Sequence, residues 1–273
     1  MATSIITIPT ATATGMVEAA KVLALVASAF GDPPADTRPL PEDGQLSPAG
    51  LQKLQAWLSP SFPVGAFSYS HGLEWAVEDG TVTSAATLRS WLGDVLSHGA
   101  GRTDAVLFAH AWRAASAGDL DRLREIAELA AAFQPSRERA LETTAQGRAF
   151  LSAVSAAWPS PVLAALAAIF PADLAIAYPV AVALATAAEG VALKPALVAY
   201  LGSFAANLIS AGVRAIPIGQ TDGQRVVAAM AALIEAISGA ALATPLDDIG
   251  GIAFRADIAS MKHETQYTRL FRS

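Results

Sequence analysis

Apolar positions recur at a period near 3.6 along most of the chain from Leu46 onward, and no run sustains the alternation of a half-buried strand. The pattern predicts an all-α protein, and local punctuation places its helices. Ser47-Pro48 supplies a hydroxyl N-cap followed by proline at the first helical position, and Leu51, Leu54, Trp57 and Leu58 then form one apolar face before Pro60. Leu88, Trp91, Leu92, Val95 and Leu96 make a stripe over residues 84–99, with Ser84 as the cap. Gly99 and Gly101 allow a turn into a segment that runs to Ala117, and Asp119 opens the next helix with acidic residues in its first turn, as the helix dipole favours. Ser136 opens a long helix through Trp158, in which Arg137, Glu138, Arg139, Glu142 and Arg148 read as pairing on a solvated face. Residues 172–189 and 195–213 carry very little charge and are expected to be central helices, surrounded on most sides. Thr221-Asp-Gly-Gln224 fits a capping box that starts a segment through Val226, Met230, Leu233 and Ile237, ended by Pro245. The expectation is a compact single-domain bundle of about ten helices.

Composition sharpens this picture. Hydrophobic residues make up 53% of the 273 positions, charged residues 15% and aromatics only 7%, so the apolar content is mostly small aliphatic side chains that let helices approach closely. Residues 1–15 form an uncharged Thr/Ala-rich leader and residues 31–45 hold four prolines with mixed charge. The division expected is therefore a flexible N-terminal extension and linker over 1–45, an all-helical domain over 46–252 and a partner-binding C-terminal tail over 253–273. A net charge of −6 without any basic block argues against nucleic-acid binding through phosphates. The absence of cysteine excludes disulfides, thiolate metal sites and thiol nucleophiles. Residues 16–30 are apolar, yet no Lys or Arg precedes them, which does not suit a secretory signal. The charge-free run from Ala149 to Ala172 is long enough for a bilayer, but Pro159, Pro161 and Pro171 break it into core helices, so no membrane span is expected.

Catalytic chemistry finds little support. There is no Gly-Lys-Ser/Thr and no G-x-G-x-x-G, so neither familiar nucleotide-binding loop is present. His71, His98, His110 and His263 include no pair three or four apart. A metal shared by His98 and His110 would need their helices to pack side by side, and it lacks carboxylate or thiolate neighbours in sequence. Ser70-His71-Gly72 resembles the end of a nucleophile elbow, but Ser68 stands where glycine belongs and a helix, not a strand, comes before it. Glu74 and Glu78 lie one turn apart, the usual spacing of a solvated face. No catalytic residue, resident metal or bound cofactor is assigned.

Three stretches carry more than structure demands. In Leu58–Trp75, Pro60, Pro63 and Gly65 shape the backbone and Phe62, Phe67, Tyr69 and Trp75 supply large anchors. A helix connection with its aromatics in the core and a shaped contact surface are equally good accounts of them. In Arg214–Arg225, the side chains of Arg214, Gln220 and Arg225 exceed what a turn requires. In Asp257–Ser273, Met261, Tyr267, Leu270 and Phe271 alternate with Lys262, His263, Arg269 and Arg272, which reads as a segment that orders on binding.

At these places the sequence resembles the urease accessory protein UreF family. The blocks are Ser59–Glu74, Tyr178-Pro-Val-Ala-Val-Ala, Val213–Arg225 and Asp257–Ser273, and with the helices between them they cover roughly residues 46–273. The resemblance implies an all-helical, cytoplasmic, homodimeric accessory protein without catalytic activity. It implies binding to UreD (UreH in some organisms) and recruitment of the GTPase UreG, so that nickel reaches the urease apoprotein while GTP is bound by UreG. It implies too that Tyr267, Arg269, Leu270 and Arg272 order against UreD. The partner-binding set expected is Phe62, Pro63, Gly65, Tyr69, His71 and Glu74 in the first stretch, and Arg214, Gln220, Asp222 and Arg225 in the second. The third contributes Met261, His263, Glu264, Tyr267, Arg269, Leu270, Phe271 and Arg272. Two departures stand out: the N-terminal extension, and Lys262 where arginine is common, since lysine has no bidentate fork. Two other readings remain, a nickel-binding metalloprotein using His71, His98 and His110, and a serine hydrolase using Ser70 or Ser68 with His71.

Overall fold

The structure, a computed structural model, describes residues 44–171 and 174–273. The extension expected over 1–45 lies outside the described residues except for its last two positions. The described chain forms eleven α-helices and no strand: α1 (Pro48–Trp57), α2 (Leu73–Glu78), α3 (Ala85–His98), α4 (Ala100–Ala117), α5 (Leu120–Ala132), α6 (Arg137–Ala157), α7 (Pro161–Ala167), α8 (Tyr178–Ala188), α9 (Leu193–Ala215), α10 (Gln220–Ala243) and α11 (Phe254–His263). Short 3-10 turns occupy Ala66–Ser68 and Leu246–Asp248. The fold is an all-α bundle.

The predicted caps position four of these helices. The Ser47 hydroxyl accepts from Gly50 N at 3.0 Å, Ser84 and Thr87 close a capping box, and Asp119 and Ser136 each cap the helix that follows. Two boundaries differ from expectation. The helix expected from residue 172 begins at Tyr178, after the Pro171 break, and α10 begins at Gln220 behind an extended Gly219, so Thr221 lies inside the first turn rather than capping it.

At the centre α8 packs between α4 and α6, and α9 lies along α10. Val180, Ala181, Val182, Ala183, Leu184 and Ala185 are wholly buried, as a helix that is apolar all round must be. A ladder of rings runs through this core: Phe62 on Phe150 at 5.5 Å, Phe150 on Tyr178 at 5.7 Å, Tyr178 on Tyr200 at 5.7 Å and Tyr200 on Phe108 at 5.4 Å. α9 and α10 are long and apolar enough to cross a bilayer by length and composition alone. α9 buries Tyr200, Leu201, Leu208 and Ile209 in the bundle, whereas α10 leaves Ala228, Ala232 and Ala236 exposed.

One expectation fails clearly. Glu138, Arg139 and Glu142 do not lie on a solvated face: all three are buried, along with Thr143 and Gln146. α6 turns this side toward the Leu58–Trp75 stretch and α11, and the charges are tolerated there because they pair with one another.

Candidate functional site: a junction between elbow and tail

The elbow between α1 and α2 is built from its prolines and glycines upward. Phe62 turns inward onto Phe150 and Trp158, anchoring the stretch to the ring ladder. Gly65, at φ 74°, starts the 3-10 turn, and the chain then passes through two more left-handed residues, His71 (φ 58°) and Gly72 (φ 74°). Gly72 is fixed by contact as well as by backbone angle. A Cβ there would stand 2.5 Å from Ser260 N on α11, so only glycine lets that helix dock.

The left-handed turn drives His71 into the interior. Its Nδ1 lies 2.7 Å from Arg139 Nη1 and 2.8 Å from Glu142 Oε1, and Arg139 and Glu142 pair at 2.5 Å. Burial and the neighbouring guanidinium push the His71 pKa down to about 4, against the pull of Glu142, so the ring is neutral at neutral pH. Burial alone would raise the Glu142 carboxyl, but Arg139 and His71 hold it down at about 2. Behind them Tyr200 donates to Asp104 at 2.8 Å, and burial lifts Asp104 to about 6 despite Arg139. His71, Asp104, Arg139, Glu142 and Tyr200 border a cavity of about 30 Å3, and His71 Nε2 and Arg139 Nε have no hydrogen-bond partner among the described residues. A polar space of that size suits one water.

The tail closes over this network. From α11, His263 presents Nδ1 to Glu138 at 2.6 Å and Nε2 to Glu74 at 3.0 Å, an arrangement in which both nitrogens donate only when the ring is protonated. Arg269 donates to the other Glu138 oxygen at 2.8 Å. Glu264 accepts from Arg137 N at 2.9 Å in the first turn of α6, where the helix dipole favours a carboxylate. Glu74 then takes the backbone: Leu270 N donates to Oε1 at 2.5 Å and Phe271 N to Oε2 at 2.9 Å. Arg272 N donates to Ser68 O at 2.7 Å, Ser70 N to the Ser273 main-chain oxygen at 2.7 Å, and Ser273 Oγ to Glu142 at 2.6 Å. Phe271 is buried and its ring lies 4.4 Å from the Arg214 guanidinium, which also sits 3.7 Å from the Phe67 ring and donates through Nε to Ser210 O at 3.2 Å.

The three stretches singled out in the sequence thus meet at Arg214, between an elbow ring and a tail ring. Of the residues named from sequence, Phe62, His71, Glu74, His263, Glu264 and Phe271 hold the junction together. Tyr69 lines the cavity beside His71, and Gly65 and Pro63 shape the exposed elbow. Met261, Tyr267, Leu270 and Arg272 point outward, Tyr267 being fully exposed. Gln220, Asp222 and Arg225 stand on the first turns of α10, where Asp222 and Arg225 pair with each other at 2.7 Å. Ser70, one of the two serines of the hydrolase reading, is buried, with its hydroxyl bonded to the Ser273 oxygen and to Glu74 N, whereas Ser68 is partly exposed in the 3-10 turn. His98 and His110 serve separate places, His110 holding Thr244 O at 2.9 Å.

Sequence reasoning missed Glu138, Arg139, Glu142, Asp104, Tyr200 and Ser273. A signal existed: Arg139, Glu142, Thr143, Gln146 and Phe150 repeat at spacings of three and four, so the polar residues of α6 keep the period of a core face while Leu141 is left outside.

The protein is thus an all-α bundle whose C-terminal segment is tied into its interior by charged and polar side chains, with Tyr267 and Leu270 turned outward. The chain belongs to the UreF family of urease accessory proteins. The UreF family profile matches residues 82–231. The urease accessory protein UreF of Rhodopseudomonas palustris strain HaA2 is 57% identical over 225 residues, covering 82% of this chain and 94% of that protein. The UreF of Bradyrhizobium sp. strain BTAi1 is 56% identical over 229 residues, covering 84% and 94%.

Proposed function

We propose that this chain is a non-catalytic scaffold of urease maturation, acting in the cytoplasm as a homodimer. It joins UreD (UreH) to the GTPase UreG and the urease apoprotein, so that nickel passes as cargo into apo-urease. The observation that carries this reading is the division of the tail: Glu74 and the elbow hold its main chain at residues 270–273, while the side chains of Tyr267 and Leu270 stand at 103% and 65% exposure. Large apolar side chains held outward on an ordered support are what a partner can bury as hot spots. The exposed small residues of α10, Ala228, Ala232 and Ala236, suit close approach of a second helix in a dimer. UreG contributes the nucleotide and its hydrolysis, and this chain contributes differential affinity for partner states. Capture of UreD by the full chain and by Tyr267→Ala/Leu270→Ala tests the reading. The double variant is expected to lose at least tenfold in affinity with an unchanged melting temperature, and undiminished capture would overturn it.

A further inference from the structure

His263, the last residue of α11, is wholly buried and sits between carboxylates from two other helices. Its Nε2 faces Glu74 Oε2 on α2 at 3.0 Å and its Nδ1 faces Glu138 Oε2 on α6 at 2.6 Å. The tail is held by the same two carboxylates. Arg269 ends on Glu138 Oε1, Leu270 N on Glu74 Oε1 and Phe271 N on Glu74 Oε2. Among the described residues, the His263 ring is the group that bonds both fastenings.

We infer that the proton on His263 governs docking of the tail: the imidazolium keeps residues 264–273 on the elbow, and the neutral ring releases them. Charge and hydrogen bonding both carry this. Glu74 and Glu138 bring two negative charges and Arg269 one positive charge, so a protonated ring brings the group to neutrality. An imidazolium donates from both nitrogens, as both contacts require. The neutral ring turns a lone pair on one carboxylate oxygen at 3.0 Å or less, where burial leaves little solvent to screen the repulsion. If Glu74 turns away, the amides of residues 270 and 271 lose their acceptor, and if Glu138 turns away, Arg269 does. The other charged neighbours do not stand in for the proton. On α6, Arg137 is exposed and Arg139 is taken by His71 and Glu142. Glu78 on α2 and Arg255 and Lys262 on α11 are exposed, Asp257 lies more than a turn back along α11, and Glu264 is bound to Arg137 N. Release follows loss of a proton, so the tail is held on the acid side and freed as pH rises.

The device acts on the support of Tyr267 and Leu270 and so rests on the scaffold reading for its use, but its test needs no partner. In the full chain alone, NMR of the His263 ring reports its protonation, and amide exchange corrected for its intrinsic pH dependence reports docking of the tail. As the ring loses its proton, protection at residues 270 and 271 is expected to fall at least tenfold while protection in α8 stays level. His263→Gln has no proton to lose in this range. Its tail protection is expected to lie at least tenfold below the parent's at about pH 6 and to show no further step; the parent's titration decides alone should the variant not fold. A ring that keeps its proton to about pH 9 would overturn the inference. So would protection that stays level while the proton leaves, or a variant that reproduces the parent's step. Level protection together with loss of UreD in Tyr267→Ala/Leu270→Ala sinks the device alone, and the reverse pattern sinks the scaffold reading alone.

Discussion

α8 and the charged centre of the elbow–tail junction are both buried and are held by opposite means. α8 encloses Val180–Ala187 in aliphatic contacts that are individually weak and mutually replaceable. The junction encloses Arg139, Glu142, Glu138 and His263, each dependent on a particular neighbour and geometry. Apolar packing tolerates the loss of an atom in proportion to the atom lost. A buried ionic network does not, because removing one partner leaves the other charged and dry.

The largest effect expected from this contrast is at Arg139. Arg139→Met strands Glu142 and is expected to cost about 3–5 kcal/mol in urea unfolding. It should also speed amide exchange throughout residues 264–273. Leu184→Ala, in the middle of α8, should cost about 2–5 kcal/mol by cavity formation and leave the tail's exchange changed only through global opening. If both variants loosen the tail equally, the contrast between the regions is lost.

The pH profile sharpens the comparison next, since the one ionisable group of α8, Tyr178, is held by burial above the ordinary phenol range and stays neutral through acid pH. His71 is lowered from 6.5 to about 4, so its contribution is full above pH 6.5 and lost as pH falls toward 4. Asp104 is raised from 3.8 to about 6, so the cost of its buried charge is relieved as pH falls from 6 toward 3.8. Each is worth on the order of 3 kcal/mol with opposite sign. Stability should therefore stay nearly flat from pH 6.5 to about 4.5. It should then fall as Glu142, lowered from 4.5 to about 2, takes up its proton. Asp104→Asn removes the compensation, and its unfolding free energy should decline from pH 6.5 onward. A flat profile in that variant would show that His71 and Asp104 do not offset one another.

The smallest effect is at Arg214. Arg214→Ala removes the cation between Phe67 and Phe271, worth about 1 kcal/mol at a half-exposed site. Several-fold faster exchange confined to residues 268–273, with global stability nearly intact, would mark it as a fastener of the tail alone.

The same contrast explains what could be read from sequence. The apolar helices and their caps at Ser47, Ser84, Asp119 and Ser136 were legible because hydrophobic period and capping are local properties. The three stretches were legible as places with surplus chemistry, and they do converge, since Phe67, Arg214 and Phe271 touch. What joins them was not legible, because partners such as Ser70 with Ser273, or Glu74 with Phe271, lie about 200 positions apart. A charged residue at helical spacing is usually solvated, and only the tail's return across α6 makes Arg139 and Glu142 interior. Thr221 misled for a local reason: α10 starts two residues earlier than a Thr221 cap requires, behind Gly219.

Glu74 grips the tail by the main-chain amides of residues 270 and 271, and amides are common to every amino acid but proline. The grip is therefore indifferent to lettering. Whatever side chain stands at position 270 is carried outward on the same anchored path, so the outward face can be rewritten while the knot beneath it stays tied.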